Sequence, residues 1–277
     1  MINPGTFLSE LRNRKPLVHH IMNGVTMNFV ANGLLAAGGK PMMARHSVEV
    51  VEAVQKADAL VLNIGTPDPQ SIEAMVLAGK EANSRNIPVV LDPVGIGMSQ
   101  FRINAVERIQ KEVSLSAIRG NAAEIAYLIG LEWQGRGVDG DSTSWIPSDL
   151  AFKAANELRT LIIVSGQKDY ISDGNQVVSV ANGDEWLTLV TGTGCLATSL
   201  VASFLSTDPI EMDTDHKSMS NLSLSQASTA MIMLGVAAEE ARIHSSGPGS
   251  FNNALMDALY QLSPEEITKK ANFTFIR

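Results

Sequence analysis

The stretch ADALVLNIGTPDPQSIEAMVLAGKEANSRNIPVVLDPVG, residues 57–95, decides the fold class. It holds two short apolar runs rich in β-branched residues, Ala59–Ile64 and Ile87–Leu91, separated by a helical pattern over Pro69–Arg85. Continuous apolar runs of this length are typical of strands that are covered on both faces of a parallel sheet. Two such strands joined by a helix form a βαβ unit. The stretch therefore predicts an α/β protein with a central, mostly parallel sheet flanked by helices on both faces.

The same alternation extends along the rest of the chain. It predicts further strands at Leu115–Ile118 and Leu161–Val164, and helices over Val25–Ala37, Phe101–Glu112, Ala122–Ile129 and Asp149–Leu158. Turn residues then separate short runs, which predicts a hairpin and meander of strands at Tyr170–Ser172, Gln176–Val180 and Trp186–Val190. The remaining pattern predicts helices over Thr193–Leu205, Leu222–Arg242 and Phe251–Leu262, with loops over 135–148 and 208–220. We expect residues 1–277 to form a single domain.

Composition excludes several classes of protein. Hydrophobic residues make up 45% of the 277 residues, which excludes disorder as the main state. The single cysteine, Cys195, excludes a disulfide framework and a multi-cysteine zinc site. A net charge of −8 argues against a nucleic-acid-binding surface. No signal peptide or membrane-spanning stretch is visible, so we expect a soluble, cytoplasmic protein that binds neither nucleic acid nor membranes.

The segment VTGTGCLATSLVAS, residues 190–203, is the strongest candidate for a ligand site. Its small residues, Gly192, Thr193 and Gly194, stand where a strand is predicted to turn into a helix. Small residues let backbone amides approach a ligand closely, and the start of a helix offers unpaired N–H groups and a positive dipole end. Such a turn suits a phosphoryl group. On spacing alone, a glycine-rich turn without a ligand is an equally good interpretation, because the segment is neither a Walker loop nor a dinucleotide fingerprint.

Carboxylates follow two of the predicted strands. Asp92 comes directly after a buried strand, where it could hold Mg²⁺ or form an Asx turn ahead of Pro93. Asn121 and Glu124 share one face at a helix start, where they could simply form a capping box. The carboxyl ends of parallel strands meet at one edge of a sheet and are the usual place for ligands. We therefore expect Asp92 and Glu124 to lie near the glycine-rich turn as metal ligands.

Cys195 is expected in the first turn of the helix that follows the glycines. A helix N-terminus lowers the pKa of a thiol from its usual value of about 8.5. The alternative is that Cys195 is a small residue chosen for packing. No comparable signal, such as the start of a helix, accompanies His19, His20, Met42 and Met43. In most proteins such histidines are hydrogen-bonded within the fold, and such methionines fill the core.

Several motifs, taken in order, resemble the hydroxyethylthiazole kinase family. They are PLVHHIMNGVTMNFVANGLLAAGGKPMMA (16–44), ADALVLNIGT (57–66), PVVLDPVG (88–95), IRGNAAEI (118–125), GVD (137–139), TGTGC (191–195) and GPGSF (247–251). The resemblance covers nearly the whole chain. It implies a ribokinase-like fold and the transfer of the γ-phosphoryl group of ATP, with Mg²⁺, to the hydroxyl of 4-methyl-5-(2-hydroxyethyl)thiazole in thiamine salvage. It also implies a homotrimer with the substrate site at a subunit interface.

The resemblance assigns a role to each candidate residue. The implied assignments are Met43, Gly192 and Asn23 for the thiazole, Arg119, Ser165 and Asn121 for ATP, Asp92 and Glu124 for the Mg²⁺–phosphate assembly, and Cys195 with the backbone of Gly192, Thr193 and Gly194 for catalysis. Cys195 stands where ribokinase-like relatives carry an aspartate base. The chain departs from the common family pattern at His20 and Met22, and at Ser165, where threonine is frequent.

Two other functions compete with this interpretation. A ribokinase-fold kinase of another small alcohol, such as a hydroxymethylpyrimidine, would use the same anion and metal chemistry. The segment 16–44 and Cys195 in place of an aspartate argue against it. A non-catalytic thiazole-binding or regulatory protein would tolerate loss of Asp92, Glu124 or the glycines, and all of these are present.

Overall fold

The computed structural model describes residues 2–131, 145–207 and 216–277, with residues 216–221 described by their backbone alone. Within them, nine strands form one sheet: β1 (Leu17–Ile21), β2 (Lys40–Met42), β3 (Ala59–Asn63), β4 (Val89–Asp92), β5 (Ala117–Asn121), β6 (Leu161–Ser165), β7 (Asp169–Ser172), β8 (Val177–Val180) and β9 (Phe273–Phe275). The α-helices of the same residues are α1 (Pro4–Arg14), α2 (Met27–Ala37), α3 (Val50–Val54), α4 (Pro69–Ser84), α5 (Gln100–Glu112), α6 (Ala122–Leu128), α7 (Pro147–Leu158), α8 (Thr193–Leu205), α9 (His216–Ile243), α10 (Pro248–Gln261) and α11 (Pro264–Lys270).

The sheet is mostly parallel, as the sequence predicts. Its strand order is β2-β1-β3-β4-β5-β6-β7-β8-β9, and the first six strands in this order run parallel. The last three pair antiparallel, so the predicted hairpin at β7 and β8 is confirmed. All six parallel strands therefore present their carboxyl ends at one edge.

Helices cover both faces of the sheet. One core cluster joins side chains of α1, α2, α8, α9, α10 and α11 to one face, and a second joins α3 to α7 to the other. Alternate residues of a strand serve the two clusters: Val61 belongs to the first, and Leu60 and Leu62 to the second. This double burial is the physical reason for the uninterrupted apolar run in β3, because both faces of the strand are removed from water.

The prediction of a strand at Trp186–Val190 is wrong. Residues Glu185–Leu189 form a 3₁₀-helix, whose first turn is capped by the Asp184 side chain, which accepts from Trp186 N at 2.9 Å. The edge of β8 that a further meander strand would need is occupied by β9, which comes from the end of the chain. The segment before the glycine-rich turn is thus helical and not extended.

Further elements differ from the sequence-based expectation. Strand β1, which carries His19 and His20 between apolar neighbours, was not predicted as a strand. Helix α9 begins at residue 216 and helix α7 at residue 147. Residues 216–220 and 147–148 are therefore helical, although the sequence predicts loops there. Residues 135–144 and 208–215 of those loops, which include the GVD motif at 137–139, lie outside the described residues. In the part of the chain that the structure describes, no helix is long and apolar enough to cross a lipid bilayer.

Candidate active site

The carboxyl edge of the parallel strands gathers most of the predicted site residues. Asn23, Met43, Asp92, Arg119, Asn121 and Ser165 lie at or just after the carboxyl ends of β1, β2, β4, β5 and β6. The sheet register places Asn63, at the end of β3, opposite Asp92, and Asn121 opposite Ser165. Helix α8 begins at the same edge, because its side chains contact both Asp92 and the end of β3.

Helix α8 begins in a turn that only glycine can make. Gly192, its N-cap residue, has φ of 103°, and a β-carbon there would lie 2.9 Å from the Phe29 ring. No side chain of the described residues caps this helix end. The hydroxyl of Thr193 instead donates to Leu187 O at 2.8 Å and fixes the turn to the preceding 3₁₀-helix. The N–H groups of the first turn have no partner within the helix, so this end can receive an anion.

The guanidinium of Arg119 lies against the same helix end. Its Nη1 atom is 2.7 Å from the place where a β-carbon on Gly194 would stand. Its Nη2 atom donates to Ser165 Oγ at 2.7 Å, and its Nε is buried without a hydrogen-bond partner among the described residues. A permanent cation and the positive end of α8 therefore face one volume, which favours a negatively charged ligand there.

Asp92 is almost completely buried behind the helix start. Its Oδ2 accepts from Asn63 Nδ2 at 2.7 Å and from Thr198 Oγ1 at 3.0 Å, whereas its Oδ1 has no partner among the described residues. Burial raises the pKa of Asp92 to about 6, against the opposing effect of the Arg119 charge. The hydrogen bonds of the side chain to the described residues reach a neighbouring strand and a helix, so the Asx-turn alternative does not describe it.

Glu124 forms the capping box that was the simpler interpretation of its position. Its Oε2 accepts from Asn121 N at 2.8 Å, and Asn121 Oδ1 accepts from Glu124 N at 2.9 Å. Its Oε1 accepts from Gly95 N at 2.8 Å, which ties the loop after Asp92 to α6. The negative charge of Glu124 also raises the pKa of Asp92, so the two carboxylates interact. Whether Glu124 also serves a metal stays a prediction.

The expected lowering of the Cys195 pKa is wrong. Burial raises the pKa of the thiol, and the negative charge of Asp92 raises it further. The Sγ atom lies 3.2 Å from Asn63 Nδ2 and 3.5 Å from Asn23 Nδ2, both of which are donors. Hydrogen bonds to the sulfur lower the pKa of Cys195, but less than burial raises it. The helix N-terminus is therefore not sufficient to make this cysteine a thiolate.

Comparison with known proteins now identifies the chain's relatives. Residues 8–265 match the model of the hydroxyethylthiazole kinase family. The chain belongs to the hydroxyethylthiazole kinase family. It is 42% identical to the hydroxyethylthiazole kinase of Shouchella clausii over 92% of this chain and 95% of that protein.

Solved structures agree with the family match. The hydroxyethylthiazole kinase structure from Pyrococcus horikoshii OT3 superimposes with a TM-score of 0.87, at 36% identity and with complete coverage of both chains. A ribokinase-like superfamily protein from Enterococcus faecalis superimposes with a TM-score of 0.62, at 11% identity, over 93% of this chain and 89% of that one. The last likeness concerns the fold alone. The predictions of a ribokinase-like α/β fold and of a kinase of this family are confirmed.

This hydroxyethylthiazole kinase family member has site residues that sequence reasoning missed. Asn63 lies between Asp92 and Cys195 and bonds to both. Arg102 donates to the carbonyls of Ile64, Gly65 and Val94, and so clamps the loops after β3 and β4 together. One signal could have found Asn63, since ALVLN and PVVLD each close an apolar run with a polar residue.

A second missed carboxylate lies on the Ser165 side. Asp169, at the start of β7, accepts from Gly166 N at 3.2 Å. Burial raises the pKa of Asp169 to about 7, while the charge of Arg119 lowers it. Arg119 thus acts on Asp169, on Asp92 and on Cys195, and is the electrostatic centre of the edge.

The segment after β1 is organised by Asn23. Its Oδ1 accepts from the backbone N–H groups of Val25 and Thr26, at 3.1 and 3.0 Å, and so shapes the entry to α2. Met43 is half-buried and packs on the core, and the carbonyl of the next residue, Ala44, lies 2.7 Å from Nε2 of the buried His19. The Asn23 segment flanks the thiol, since Asn23 contacts Cys195 directly.

Proposed function

We propose that this site transfers the γ-phosphoryl group of ATP to the hydroxyl of 4-methyl-5-(2-hydroxyethyl)thiazole. One observation carries the proposal: the uncapped N-terminus of α8 faces the Arg119 guanidinium, with Asp92 and Cys195 beside it. Phosphoryl transfer needs positioning and charge stabilisation more than covalent chemistry. Prearranged amides and a fixed cation supply both at low reorganisation cost.

We assign the nucleotide to the side of the edge that carries Arg119. The guanidinium would contact the phosphates, and the Ser165 hydroxyl, which accepts from it, would be the second contact. Asn121 lies opposite Ser165 in the sheet register, and its backbone N–H donates to Glu124. Asn121 would therefore contribute to nucleotide binding by holding the end of β5 in place beside Ser165. The backbone N–H groups of Thr193, Gly194 and Cys195 would stabilise the transferred phosphoryl group.

The residues present fit a divalent cation, for which we propose Mg²⁺. Asp92 Oδ1 is a buried carboxylate oxygen without a described partner, and carboxylate oxygens are the protein ligands that Mg²⁺ prefers. Each Glu124 oxygen accepts one N–H and retains a lone pair. No group of three or more possible metal-binding side chains occurs within the described ranges, which suits an ion held by phosphates and one or two carboxylates. Mg²⁺, when bound, neutralises charge on the phosphates.

We place the acceptor alcohol at the opposite end of the site. Gly192 would admit the thiazole close to the backbone, with Asn23 and Met43 beside it, and Cys195 would lie next to the reacting hydroxyl. The sulfur of Cys195 accepts from two amide donors, which leaves its S–H group to face the site. Because the transition state is loose, the alcohol loses its proton late, and a strong base is not required.

We also propose a homotrimer whose substrate site is completed by a neighbouring copy. Val25 and Val48, which follow Asn23 and Met43 in the chain, are 73% and 81% exposed. Exposed apolar side chains beside a substrate segment are typical of an interface. The predictions of one domain and a cytoplasmic location also stay proposals; the single continuous sheet supports the first, and the unpaired Cys195 the second.

One assay tests the reaction. The purified protein is incubated with ATP, Mg²⁺ and, separately, the thiazole alcohol, a hydroxymethylpyrimidine and a sugar alcohol, and phosphorylated products are quantified. Thiazole phosphate is the expected product. Turnover of the pyrimidine without thiazole phosphate would replace this proposal by its closest alternative. Absence of any phosphorylated product would favour a non-catalytic thiazole-binding protein.

A further inference from the structure

The side-chain amide of Asn63 has only one orientation that its surroundings allow. Its Oδ1 accepts from the backbone N–H of Gly65 and from Asn23 Nδ2, both at 2.9 Å. A backbone N–H can only donate, so the oxygen must face Gly65. The Nδ2 group must then face the opposite way, and it does, 2.7 Å from Asp92 Oδ2 and 3.2 Å from Cys195 Sγ.

In this orientation the Asn63 amide links the Asp92 carboxylate to the Cys195 thiol. The two hydrogens of Nδ2 are divided between a carboxylate on β4 and a thiol on α8. Asn63 is 2% exposed, so water cannot replace either bond without entering the core of the edge. A buried polar group whose partners are all satisfied has little freedom to rotate, and it transmits that rigidity to its partners.

We propose that Asn63 is a positioning residue that fixes the Cys195 sulfur relative to the Asp92 carboxylate. The inference rests on the proposed function, in which the acceptor alcohol lies at Cys195 and the phosphates lie near Asp92. The Asn63 side chain is uncharged and does not titrate, so we expect it to act by aligning Cys195 with Asp92. Reacting groups displaced by about 1 Å lose about a hundredfold in rate.

Thr198 provides a contrast within the same network. Its hydroxyl donates to the same Asp92 oxygen, at 3.0 Å, and lies 3.3 Å from Gly194 O, and it forms no hydrogen bond to Cys195 among the described residues. Removing the Thr198 hydroxyl disturbs Asp92 and a bond within α8 but leaves the Asn63 donor to the Cys195 sulfur in place, whereas removing the Asn63 amide disturbs Asp92 and Cys195 together. The two residues should therefore respond differently when Cys195 is replaced.

The test is a double-mutant cycle on the full-length enzyme. Asn63→Ala should lower kcat for thiazole phosphorylation by about a hundredfold, the cost of a misaligned reacting pair. In a Cys195→Ala background, the same change should lower kcat by less than about fivefold, since coupled residues are not additive. Thr198→Val should cost a similar factor in both backgrounds. Asn83→Ala is the matched control, because that half-buried asparagine, outside the candidate site, also bridges two segments, through Ser114, and should leave kcat unchanged.

A binding measurement separates positioning from recognition. The dissociation constants for the thiazole and for ATP, measured by calorimetry, should change by less than about threefold in Asn63→Ala, because uniform binding is retained when only alignment is lost. Equal losses of kcat in both backgrounds, or a rise in the thiazole dissociation constant that matches the fall in kcat, would overturn the inference. If Asn63→Ala does not fold, Asn63→Ser serves in the same cycle. A wild-type enzyme that makes no thiazole phosphate would refute the proposed function instead.

Discussion

A β-carbon on Gly194 would lie 2.7 Å from Nη1 of Arg119, closer than a real β-carbon approaches any atom. A side chain at position 194 would therefore require the guanidinium to move away from the start of α8. The glycine is required for the contact between a strand and a helix, and not for a turn, because the left-handed φ belongs to Gly192. The guanidinium of Arg119 can thus lie against the start of α8 because Gly194 has no side chain.

Gly194→Ala should displace the Arg119 guanidinium and break its bond to Ser165. We expect KM for ATP to rise by about tenfold, the cost of about 1.4 kcal/mol of lost interaction, with a smaller effect on the thiazole. The measurement is steady-state kinetics with each substrate varied in turn. Gly249→Ala is the control, since a β-carbon there meets no atom within 4 Å. An unchanged KM for ATP in Gly194→Ala would contradict the assignment of the nucleotide side.

Glu124→Gln should affect both stability and metal use. The Glu124 oxygens accept from Gly95 N and Asn121 N, and glutamine replaces one of these oxygens by an NH₂ group that cannot accept. One part-buried N–H therefore loses its partner, at a cost of about 1 kcal/mol. If Glu124 also helps to hold the cation, turnover should fall and the Mg²⁺ concentration for half-maximal rate should rise. Glu266→Gln is the matched control, because Glu266 accepts from Ser263 N at 2.9 Å in the capping box of α11. A destabilised Glu124→Gln enzyme with normal turnover and Mg²⁺ requirement would leave only the capping role.

The sequence predicted the βαβ core because the strands that build it are buried on both faces. Short apolar runs such as those of β3 and β6 are typical of strands in the middle of a covered parallel sheet. The turn at Gly192 follows from local sterics, because its φ of 103° favours glycine. Strand β1 was missed because His19 and His20 interrupt its apolar run. Their polarity is satisfied by tertiary partners that no local pattern reveals, Ala44 O for His19 and Ser199 for His20.

The candidate site was predicted in part for the same reason. Asp92 and Arg119 directly follow the predicted strands Ile87–Leu91 and Leu115–Ile118, and the convergence of strand ends locates them. The pKa of Cys195 depends on its burial and on the distance to Asp92, and neither quantity is contained in the spacing of residues. The helical form of Glu185–Leu189 depends on the Asp184 cap and on the arrival of β9, which is about ninety residues further along the chain.

His20 should make the protein less stable in acid. Burial lowers its pKa to about 4 from an ordinary value of 6.5. Between these two values the unfolded chain binds a proton that the folded protein does not, so the free energy of unfolding decreases as pH falls. The full effect is about 3 kcal/mol, and it is absent above pH 6.5.

His20→Gln tests this pH dependence, because glutamine can still bond to Ser199 but does not titrate. Urea unfolding between pH 4 and pH 7.5 should give the variant a flatter stability profile than the wild type. His244→Gln, at an exposed histidine, should leave the profile unchanged. Parallel profiles for wild type and His20→Gln would contradict the role of this histidine.

Assembly is tested by mass and by surface substitution. Sedimentation equilibrium should give about three times the chain mass of 29.6 kDa. Val48→Asp should dissociate the trimer and lower activity together, because it places a charge in the proposed interface. Ile243→Asp, at another exposed apolar residue, should do neither. A fully active monomer would rule out a substrate site shared between copies.

Replacing Cys195 by aspartate tests whether this residue serves as a weak base. A carboxylate is ionised at pH 7 without assistance, whereas burial and Asp92 keep the thiol protonated. The amides of Asn63 and Asn23 would donate to the new carboxylate, and the start of α8 would favour its charge, although Asp92 would oppose it. We expect Cys195→Asp to keep or raise turnover.

Cys195→Ser and Cys195→Ala separate this role from covalent catalysis. Both should retain part of the activity, because the backbone amides of the α8 turn still stabilise the transferred group. Complete loss of activity in Cys195→Ser, together with a phosphorylated cysteine trapped in the native enzyme and detected by mass spectrometry, would show that the sulfur is a nucleophile. We expect no such adduct, because in-line transfer to a bound alcohol requires no enzyme nucleophile, and a thiol held protonated by burial is a poor one.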